Sequence, residues 1–393
     1  MTTPRPDAPG EPVAGTLGGH AARQLLRLSE TAGLCAADSE DYARTLLDVL
    51  GPLAQRPLEL PPPSRSFLSD DHTPVEFSLS CEPGAPPTLR VLLEPGAGAS
   101  DLTDNGNIGL RVIRDMGRRW GFGTDPLDEL EDLFFPPSPQ GPLALWCALE
   151  LRAGGVPRVK AYLNPAASGE KRAAKTVRQA LKRLGHRKAF QALPDGDRHL
   201  FFALDLGDWA EPRVKVYLAH DDLSAAEAGA LSRTGDGPDS AEIEEFFRIV
   251  AGKEHKPQLD RRPVQTCHAF TETGSGLPSG FTVYIPVRDY ARHDGVALDR
   301  AAALHARYGI DPVTVRRASV AVTSRQPEDG VGLVAYLGLA HQRGRPPRVM
   351  TYISSEAYEI RPPTVLSPAD LPAAAPLDVP AVVPPPAPVP AEA

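Results

Sequence analysis

Two kinds of hydrophobic pattern alternate along the chain. Windows in which apolar residues recur every three to four positions predict amphipathic helices. Between them lie pairs of short runs rich in β-branched and aromatic residues, and a loop rich in Gly, Pro or charge separates the two members of each pair. This arrangement is typical of β-hairpins. The helical windows are residues 21–50, 108–133, 171–184, 240–250 and 298–308.

Five such hairpins follow one another, which gives ten strands. They are PVEFSLS with TLRVLLEP, LALWCALELR with RVKAYLNP, LFFALDLGDW with RVKVYLAH, VQTCHAFTE with FTVYIPV, and VGLVAYLGLA with RVMTYISS. An open sheet of ten strands would expose two unpaired edges, and closure into a barrel removes both. We therefore predict an α+β fold, a ten-stranded antiparallel β-barrel surrounded by helices.

The distribution of Pro and Ala sets the expected domain boundaries. Residues 363–393 consist mostly of Pro, Ala and Val, and the first residues are similarly rich in Pro. Such segments cannot bury a core. We expect disordered tails over residues 1–17 and 363–393, flanking a single barrel domain over residues 18–362.

Charge and hydropathy exclude several classes of function. The formal net charge is −8, which disfavours nucleic acids and anionic membranes as partners. The longest apolar stretch, residues 331–340, is too short to span a membrane, and the N-terminus lacks the apolar core of a signal peptide. Four cysteines, far apart and without paired spacing, are expected to be reduced, buried thiols in a cytoplasmic protein: Cys35, Cys81, Cys147 and Cys267.

Cations and tyrosines share one face of the predicted strands. Successive strand residues point to opposite faces, so Arg213, Lys215 and Tyr217 lie together. The same alternation groups further pairs: Lys160 with Tyr162, and Arg348 with Tyr352. The aliphatic face would pack on helices, which turns the cationic face into the barrel. The alternative, a solvated edge strand, is disfavoured because the pattern recurs in two hairpins with partial echoes in two more.

Buried cations beside tyrosines need a ligand with an anionic part and an apolar or cationic part. The diphosphate ester of an isoprenoid has both, since Arg and Lys bind diphosphate and Tyr faces surround an allyl cation. The sequence lacks a DDxxD-type cluster, and Ser69-Asp70-Asp71 precedes a Pro and is typical of a turn or a helix cap. We therefore expect diphosphate binding without a metal and without any other cofactor.

Glu76, in PVEFSLS, alternates in phase with Ser78 and Ser80. One interpretation is a carboxylate at the barrel rim paired with an arginine such as Arg90. The other is an acceptor for an aromatic N–H, which would orient the ring and raise its nucleophilicity.

The residues described above resemble the dimethylallyltryptophan synthase type of aromatic prenyltransferase. The resemblance covers residues 21–362 and is carried by VEFS, LRVLLEP, VKAYLNP, RVKVY, YIPV and RVMTYISSEAY. PPPSRSFLSDDHTPVEFSL, EDLFFPPSPQGPLALWCALELR and VRDYARHDG are particularly similar to bacterial tryptophan 6-dimethylallyltransferases. The resemblance implies a barrel of ten strands and transfer of a dimethylallyl group from dimethylallyl diphosphate to L-tryptophan, at carbon 6 of the indole.

The resemblance also implies a division of roles among the site residues. Glu76 would hold the indole N–H. The diphosphate would be bound by Arg90, Lys160, Arg213, Lys215, Arg343 and Arg348. The allyl cation would be shielded by Tyr162, Tyr217, Tyr284, Tyr336 and Tyr352.

Two positions depart from the family pattern. Fungal relatives carry a lysine on the strand matching LALWCALELR, where this chain has Trp146 and Cys147. The acceptor of the ring proton is therefore open among Glu76, a water and diphosphate. A Gln expected two residues before Tyr284 is Thr282 here, so this donor to the diphosphate is either missing or supplied by Arg343 or Arg345.

Two alternatives to tryptophan prenylation stay open at the level of sequence. The first is the same chemistry on a tryptophan-containing cyclic dipeptide, tyrosine or a phenol. The second is a barrel that binds an isoprenoid without catalysis, which would need neither a buried Glu nor a tight cluster of Arg and Lys.

Overall fold

The computed structural model describes residues 13–234, 238–252 and 258–364. Its helices are α1 Leu17–Thr31, α2 Ala36–Leu50, α3 Leu102–Trp120, α4 Asp125–Asp128, α5 Glu131–Phe134, α6 Ala173–Arg183, α7 Ala189–Ala192, α8 Ala225–Gly229, α9 Ser240–Ala251, α10 Asp294–Arg307 and α11 Val313–Val322. Short 3₁₀ turns lie at Gly51–Gln55, Pro165–Ser168, Glu170–Arg172, Val287–Asp289 and Pro327–Asp329.

Ten long strands and two short ones accompany the helices. The strands are β1 Val75–Cys81, β2 Thr88–Leu93, β3 Leu145–Glu150, β4 Arg158–Leu163, β5 Arg198–Leu206, β6 Arg213–His220, β7 Leu223–Ser224, β8 Gln258–Leu259, β9 Val264–Phe270, β10 Gly280–Ile285, β11 Val334–Gln342 and β12 Arg348–Ser354. The ten long strands close into one antiparallel barrel, and β7 pairs only with β8.

The barrel closes between its first and last strands. Ser78 of β1 lies opposite Tyr352 of β12 on one side and Arg90 of β2 on the other. The order around the barrel is β1, β12, β11, β10, β9, β6, β5, β4, β3 and β2. The predicted ten-stranded antiparallel barrel with surrounding helices is confirmed.

The main hydrophobic core lies between the outer face of the barrel and the helices. The outward residues of β1, Phe77 and Leu79, are at most 1% exposed and belong to one apolar cluster with Leu25 and Leu46 of the first two helices. All seven residues of β1 are buried, because helices cover one face and the barrel interior encloses the other. The helices therefore cover the aliphatic face of the strands, and the polar face is directed into the barrel.

The helices depart from the predicted windows in several places, and window 108–133 spans the separate helices α3, α4 and α5. Window 21–50 is two helices, since the chain turns between α1 and α2 and Gly33 adopts a left-handed φ of 73° there. Helix α11 was not predicted, because its sequence, VTVRRASVAV, is rich in β-branched residues and resembles a strand.

The ends of the expected domain fall partly outside the described residues. Residues 1–12 and 365–393 of the two predicted tails are not described. Within residues 13–17, the Thr16 side chain accepts a hydrogen bond from the Gly19 N–H and caps α1, which begins at Leu17. The single-domain assignment over residues 18–362 stays a prediction.

Cys35 corrects one expectation. It is exposed, whereas Cys81, Cys147 and Cys267 are buried free thiols as predicted. Cys35 precedes α2 as its N-cap, and its sulfur accepts a hydrogen bond from the Asp38 N–H at 3.4 Å. A capping position lies at a helix end in contact with solvent, which explains its exposure. Within the described segments, no helix combines the length and the apolar character needed to cross a bilayer.

Candidate active site

The barrel encloses a cavity of about 590 Å³. Its walls are formed by the inward residues of the strands, and one end is lined by residues of the five hairpin turns, including Pro86, Ala153 and Trp209. We call this the turn end of the barrel. The opposite end, where β1 begins at Val75 and β12 ends at Ser354, is the far end.

Arg90 and Glu150 form an ion pair in the cavity wall. Nε and Nη2 of Arg90 donate to Oε2 of Glu150 at 3.1 and 3.0 Å. Burial disfavours both charges, but each stabilises the other. The pKa of Arg90 is raised, and the Arg90 and Lys160 charges bring the pKa of Glu150 down to about 2. Arg90, predicted to bind diphosphate, therefore lines the cavity as a fixed cation.

Asp205 lies between the two predicted lysines. Its carboxylate oxygens are 3.3 Å from Nζ of Lys160 and 3.2 Å from Nζ of Lys215. Burial alone would raise the pKa of Asp205, but the two ammonium groups hold it well below its usual range. Burial lowers the pKa of Lys215, against the attraction of Asp205. The carboxylate is therefore ionised and orients both lysines in the cavity wall.

Three further predicted cations occupy different settings. Arg213 lies in the cavity wall with its guanidinium 4.3 Å from the ring centroid of Trp209. Arg348 also lines the cavity, and burial followed by repulsion from Arg90 lowers its pKa. Arg343 is outside the lining, on the last hairpin turn and 4.0 Å from Glu272, whereas Arg345 belongs to the lining.

The tyrosines form a continuous aromatic wall below this cationic layer. Ring centroids are 5.6 Å apart for Tyr162 and Tyr217, 6.2 Å for Tyr217 and Tyr284, and 5.8 Å for Tyr284 and Tyr352. Tyr336 extends the wall, 6.4 Å from Tyr352. Burial raises the pKa of the first four phenols, which keeps them protonated and neutral. Five residues that the sequence predicted as a shield are thus brought together.

Phe201 and Trp146, to which the sequence analysis gave no role in the shield, complete the aromatic wall. The ring of Phe201 lies 5.2 Å from that of Trp146 and 5.7 Å from that of Tyr217. Gly338 leaves room for the wall, because a Cβ there would lie 2.9 Å from the ring of Tyr284. Trp146 occupies the strand on which fungal relatives were expected to carry a lysine, so this chain has an indole there in place of an amine.

Glu76 is buried at the far end. It is 5% exposed and lies opposite Ser354 and Leu92. Burial raises its pKa to about 8, although the charge of Arg288 opposes this shift. Because Arg90 pairs with Glu150, the interpretation of Glu76 as a rim carboxylate bonded to Arg90 is wrong. Glu76 and Tyr336 lie just beyond the residues that line the cavity.

Charged residues cluster around Asp70 at the far end, and the charges of Arg288 and Asp70 act on Glu76. Arg262 donates to both carboxylate oxygens of Asp70, at 2.9 and 3.1 Å, and its Nε lies 2.6 Å from Asp289. Arg288 lies 3.2 Å from Asp70, and Arg361 lies 2.9 Å from it. Asp70 and Asp71 belong to a turn, as predicted, but Asp70 also anchors three arginines.

The arrangement provides two adjoining environments in one barrel. The turn end carries fixed cations, and the aromatic wall leads from them to a buried carboxyl at the far end. Cations suit a phosphate ester, and tyrosine faces suit a carbocation held away from water. Among the residues described, there is no group of three or more His, Cys, Asp or Glu side chains placed to hold a metal ion.

Comparison with protein families decides the assignment of the chain. The model of the tryptophan dimethylallyltransferase family matches residues 21–317. The chain belongs to this family.

Solved structures of prenyltransferases are similar over most of the chain. The prenyltransferase PriB, in a ternary complex with L-tryptophan and dimethylallyl thiolodiphosphate, is 58% identical, with a TM-score of 0.87, and the match covers 90% of this chain and 100% of PriB. The 5-dimethylallyl tryptophan synthase of Streptomyces coelicolor is 61% identical, with a TM-score of 0.86 and coverage of 90% and 99%.

A third dimethylallyltransferase structure is more distant. The 6-dimethylallyltryptophan synthase of Micromonospora olivasterospora is 40% identical, with a TM-score of 0.81, and the match covers 88% of this chain and 99% of that protein.

Sequence reasoning missed the carboxylates of this dimethylallyltransferase site. Asp205 lies on the same face of β5 as Phe201 and Ala203, and Glu150 lies on the same face of β3 as Ala148. The alternation along these two strands could therefore have placed both carboxylates inside the barrel. Their pairing with specific cations depends on strand register, which the alternation alone does not give.

Proposed function

We propose that the chain transfers a dimethylallyl group from dimethylallyl diphosphate to the indole ring of L-tryptophan, with release of diphosphate. The observation that carries this proposal is the adjacency, in one barrel, of a cationic layer, an aromatic wall and a buried carboxyl. Membership of the tryptophan dimethylallyltransferase family supports it.

The cationic layer is suited to bind and activate the donor. Arg90, Lys160 and Lys215 are held by Glu150 and Asp205, so they are oriented before any ligand arrives. Charge-assisted hydrogen bonds from these groups would stabilise the negative charge that develops on diphosphate as the allylic C–O bond breaks. The same cations fulfil the role that magnesium has in metal-dependent prenyl transfer, and we propose that no metal is required.

The aromatic wall is suited to the cation that remains. The negative faces of Tyr162, Tyr217, Tyr284 and Tyr352 attract an allyl cation, and their rings exclude water that would capture it as an alcohol. A ring carbon of the indole attacks the cation and forms the new C–C bond. Loss of the proton from that carbon restores aromaticity, and Glu76, a water or the released diphosphate is the base.

Glu76 is proposed to accept the hydrogen bond of the indole N–H. Positive charge develops on the indole as it attacks, so a carboxylate at the nitrogen stabilises the transition state more than the ground state. Its burial at 5% exposure makes this interaction strong, because water does not compete for the carboxylate.

The ring position has two candidates. Carbon 6 is the position that the sequence motifs imply. Carbon 5 is the second candidate, since the Streptomyces coelicolor structure named for that position is 61% identical, against 40% for the Micromonospora structure named for carbon 6.

Mass spectrometry and NMR of the product test the proposal. The full chain is incubated with L-tryptophan and dimethylallyl diphosphate in EDTA, and Lys215→Met serves as a variant that lacks one proposed diphosphate contact. A product heavier by one dimethylallyl unit is expected, and NMR identifies the substituted carbon. Activity only on cyclic dipeptides, tyrosine or phenols would replace the acceptor. Binding of the donor with no product from any acceptor would favour an isoprenoid carrier and overturn the proposal.

A further inference from the structure

The guanidinium of Arg213 is held differently from the cations that carboxylates orient. Glu150 binds Arg90, and Asp205 binds two lysines. Asp205 also lies opposite Arg213 in the strand register, but both of its oxygens contact lysines. In the part of the chain that the structure describes, Nε of Arg213 is buried without a hydrogen-bond partner. A long side chain in this setting keeps its rotamer freedom unless another contact restrains it.

The restraining contact is the indole of Trp209. The guanidinium carbon of Arg213 lies 4.3 Å from the centroid of the Trp209 ring, and that of Arg158 lies 6.0 Å from it. Trp209 belongs to the turn between β5 and β6, and Arg158 begins β4, so the indole joins two neighbouring hairpins at the turn end. An indole face attracts a guanidinium through its π electrons, which leaves the N–H groups of the cation available to an anion.

The turn between β5 and β6 holds the indole in place without a ligand. A Cβ at Gly207 would lie 2.9 Å from Nε1 of Trp209, so the ring packs directly on the backbone there. The Trp209 N–H donates to the Gly207 carbonyl at 3.0 Å. On the other side of the turn, Nε2 of the buried His186 donates to the Pro212 carbonyl at 2.7 Å. Both ends of the turn are therefore anchored.

The position of Arg213 along β6 indicates which phosphate of the donor it would contact. Arg213, Lys215 and Tyr217 all line the cavity, and alternate residues of a strand are about 7 Å apart. Tyr217 belongs to the aromatic wall, so the phosphate that carries the allyl group would lie nearer to Lys215. The terminal phosphate would then lie toward the turn end, beside Arg213.

We propose that Trp209 is a positioning residue, which holds Arg213 against the terminal phosphate of the donor and so favours diphosphates over monophosphates. This inference rests on the proposed function. A guanidinium that is already oriented loses little freedom when the anion binds, so more of the attraction appears as affinity. A monophosphate ester bound near Lys215 does not reach Arg213 and gains nothing from Trp209.

Trp209→Ala is compared with Trp120→Ala to test the inference. Trp120 also lies beside an arginine, with the Arg119 guanidinium carbon 5.5 Å from its ring, but it ends α3 and does not line the cavity. Isothermal titration calorimetry measures the Kd of two ligands, inorganic diphosphate and dimethylallyl monophosphate. Neither titration contains an acceptor, so the result does not depend on whether prenylated tryptophan forms.

Trp209→Ala should raise the Kd of diphosphate about 3- to 30-fold, the range expected for a partly desolvated cation–π contact. The Kd of the monophosphate should stay within about twofold, and Trp120→Ala should leave both constants within the same limit. Trp209→Phe keeps an aromatic face and should recover part of the affinity, whereas Trp209→Leu keeps only apolar bulk and should not. In turnover, the loss should appear in KM for dimethylallyl diphosphate rather than in kcat.

A double-mutant cycle with Arg213→Met shows whether Trp209 acts through that arginine. Once Arg213 is replaced, Trp209→Ala should have almost no further effect on the Kd of diphosphate. A full additional effect, an equal loss for the two ligands, or an unchanged Kd in Trp209→Ala would overturn the inference.

Thermal unfolding of each variant shows whether the barrel is folded in the titrations. If Trp209→Ala does not fold, the comparison of Trp209→Phe with Trp209→Leu decides the same question, and equal affinities in these two variants would overturn the inference. The expected changes in Kd without any prenylated product from the wild-type enzyme would count against the proposed function alone.

Discussion

Nζ of Lys215 lies 3.2 Å from Oδ2 of Asp205, and the other oxygen of that carboxylate is 3.3 Å from Nζ of Lys160. The three residues come from the neighbouring strands β6, β5 and β4, so the register of the barrel alone brings them together. One carboxylate thus keeps two ammonium groups close in the absence of diphosphate, although like charges repel. The proposed diphosphate site is therefore preorganised by an internal anion.

Asp205→Ala should destabilise the protein without its ligand by about 3–5 kcal/mol, because the two largely buried lysines lose their shared counter-charge. Urea unfolding measures this change in the free energy of unfolding. Inorganic diphosphate should restore most of the lost stability, since it supplies negative charge at the same place.

Asp132→Ala is the matched control for Asp205→Ala. Asp132 also pairs with a cation, here Arg183, but its side chain is 66% exposed. Its removal should cost less than about 1 kcal/mol and should not respond to diphosphate. Equal effects of the two substitutions would contradict the preorganised site.

Glu76→Gln should lower kcat by about 100-fold or more, since a neutral amide replaces the proposed acceptor of the indole N–H. In the wild type, burial raises the pKa of Glu76 to about 8. The carboxyl is protonated below that pH, so kcat/KM should rise with pH and level off above about 8. The kcat/KM of the variant should not show this rise with pH. An identical rise in both proteins would exclude Glu76 as its origin.

The same pKa predicts a pH-dependent effect on stability. Folding raises the pKa of Glu76 from 4.5 to about 8, so the folded state holds this proton more tightly. The resulting stabilisation is complete below about pH 4.5 and is lost as pH rises through about 8. Glu76→Gln should therefore gain stability relative to the wild type between about pH 5 and about pH 8, as measured by unfolding in each buffer.

Gly338→Ala should displace the ring of Tyr284, because an added Cβ would lie 2.9 Å from that ring and 3.4 Å from Met350. A displaced ring admits water to the allyl cation. The ratio of dimethylallyl alcohol to prenylated product should rise, and turnover should fall by about 10- to 100-fold.

Gly123→Ala is the control for this substitution, since only Asp125 would lie within 4 Å of its Cβ, at 3.8 Å. It should change neither quantity. An unchanged product ratio in Gly338→Ala would show that Tyr284 is not needed to exclude water.

Turnover should survive an excess of EDTA, because arginine and lysine supply the positive charge for the leaving diphosphate. Initial rates are compared in EDTA and in magnesium with the same enzyme preparation. A complete loss in EDTA that magnesium restores would refute metal-independent turnover.

Strand alternation was sufficient to predict much of this protein, because a closed barrel gives each face of a strand a different environment. It placed Tyr162, Tyr217 and Lys215 on the inner face, and the structure brings them together. Trp209 could not be found in this way, since it lies in the turn between β5 and β6, where no periodicity constrains a side chain.

Arg343 shows a related difficulty. The turn that carries it brings Arg345 into the cavity lining and directs Arg343 toward Glu272. Alternation does not continue through a hairpin turn, so sequence alone could not choose between the two arginines.

The pairing of β1 with β12 affects how the protein can fold during its synthesis. These strands are the first and the last of the barrel, and Glu76 faces Ser354 across more than half of the chain. Contacts between residues so distant in sequence form slowly and late. Until β12 is synthesised, the incomplete sheet exposes two unpaired edges, on β1 and β11, a state that favours aggregation. Residue 354 must therefore emerge from the ribosome before the barrel can close around the site.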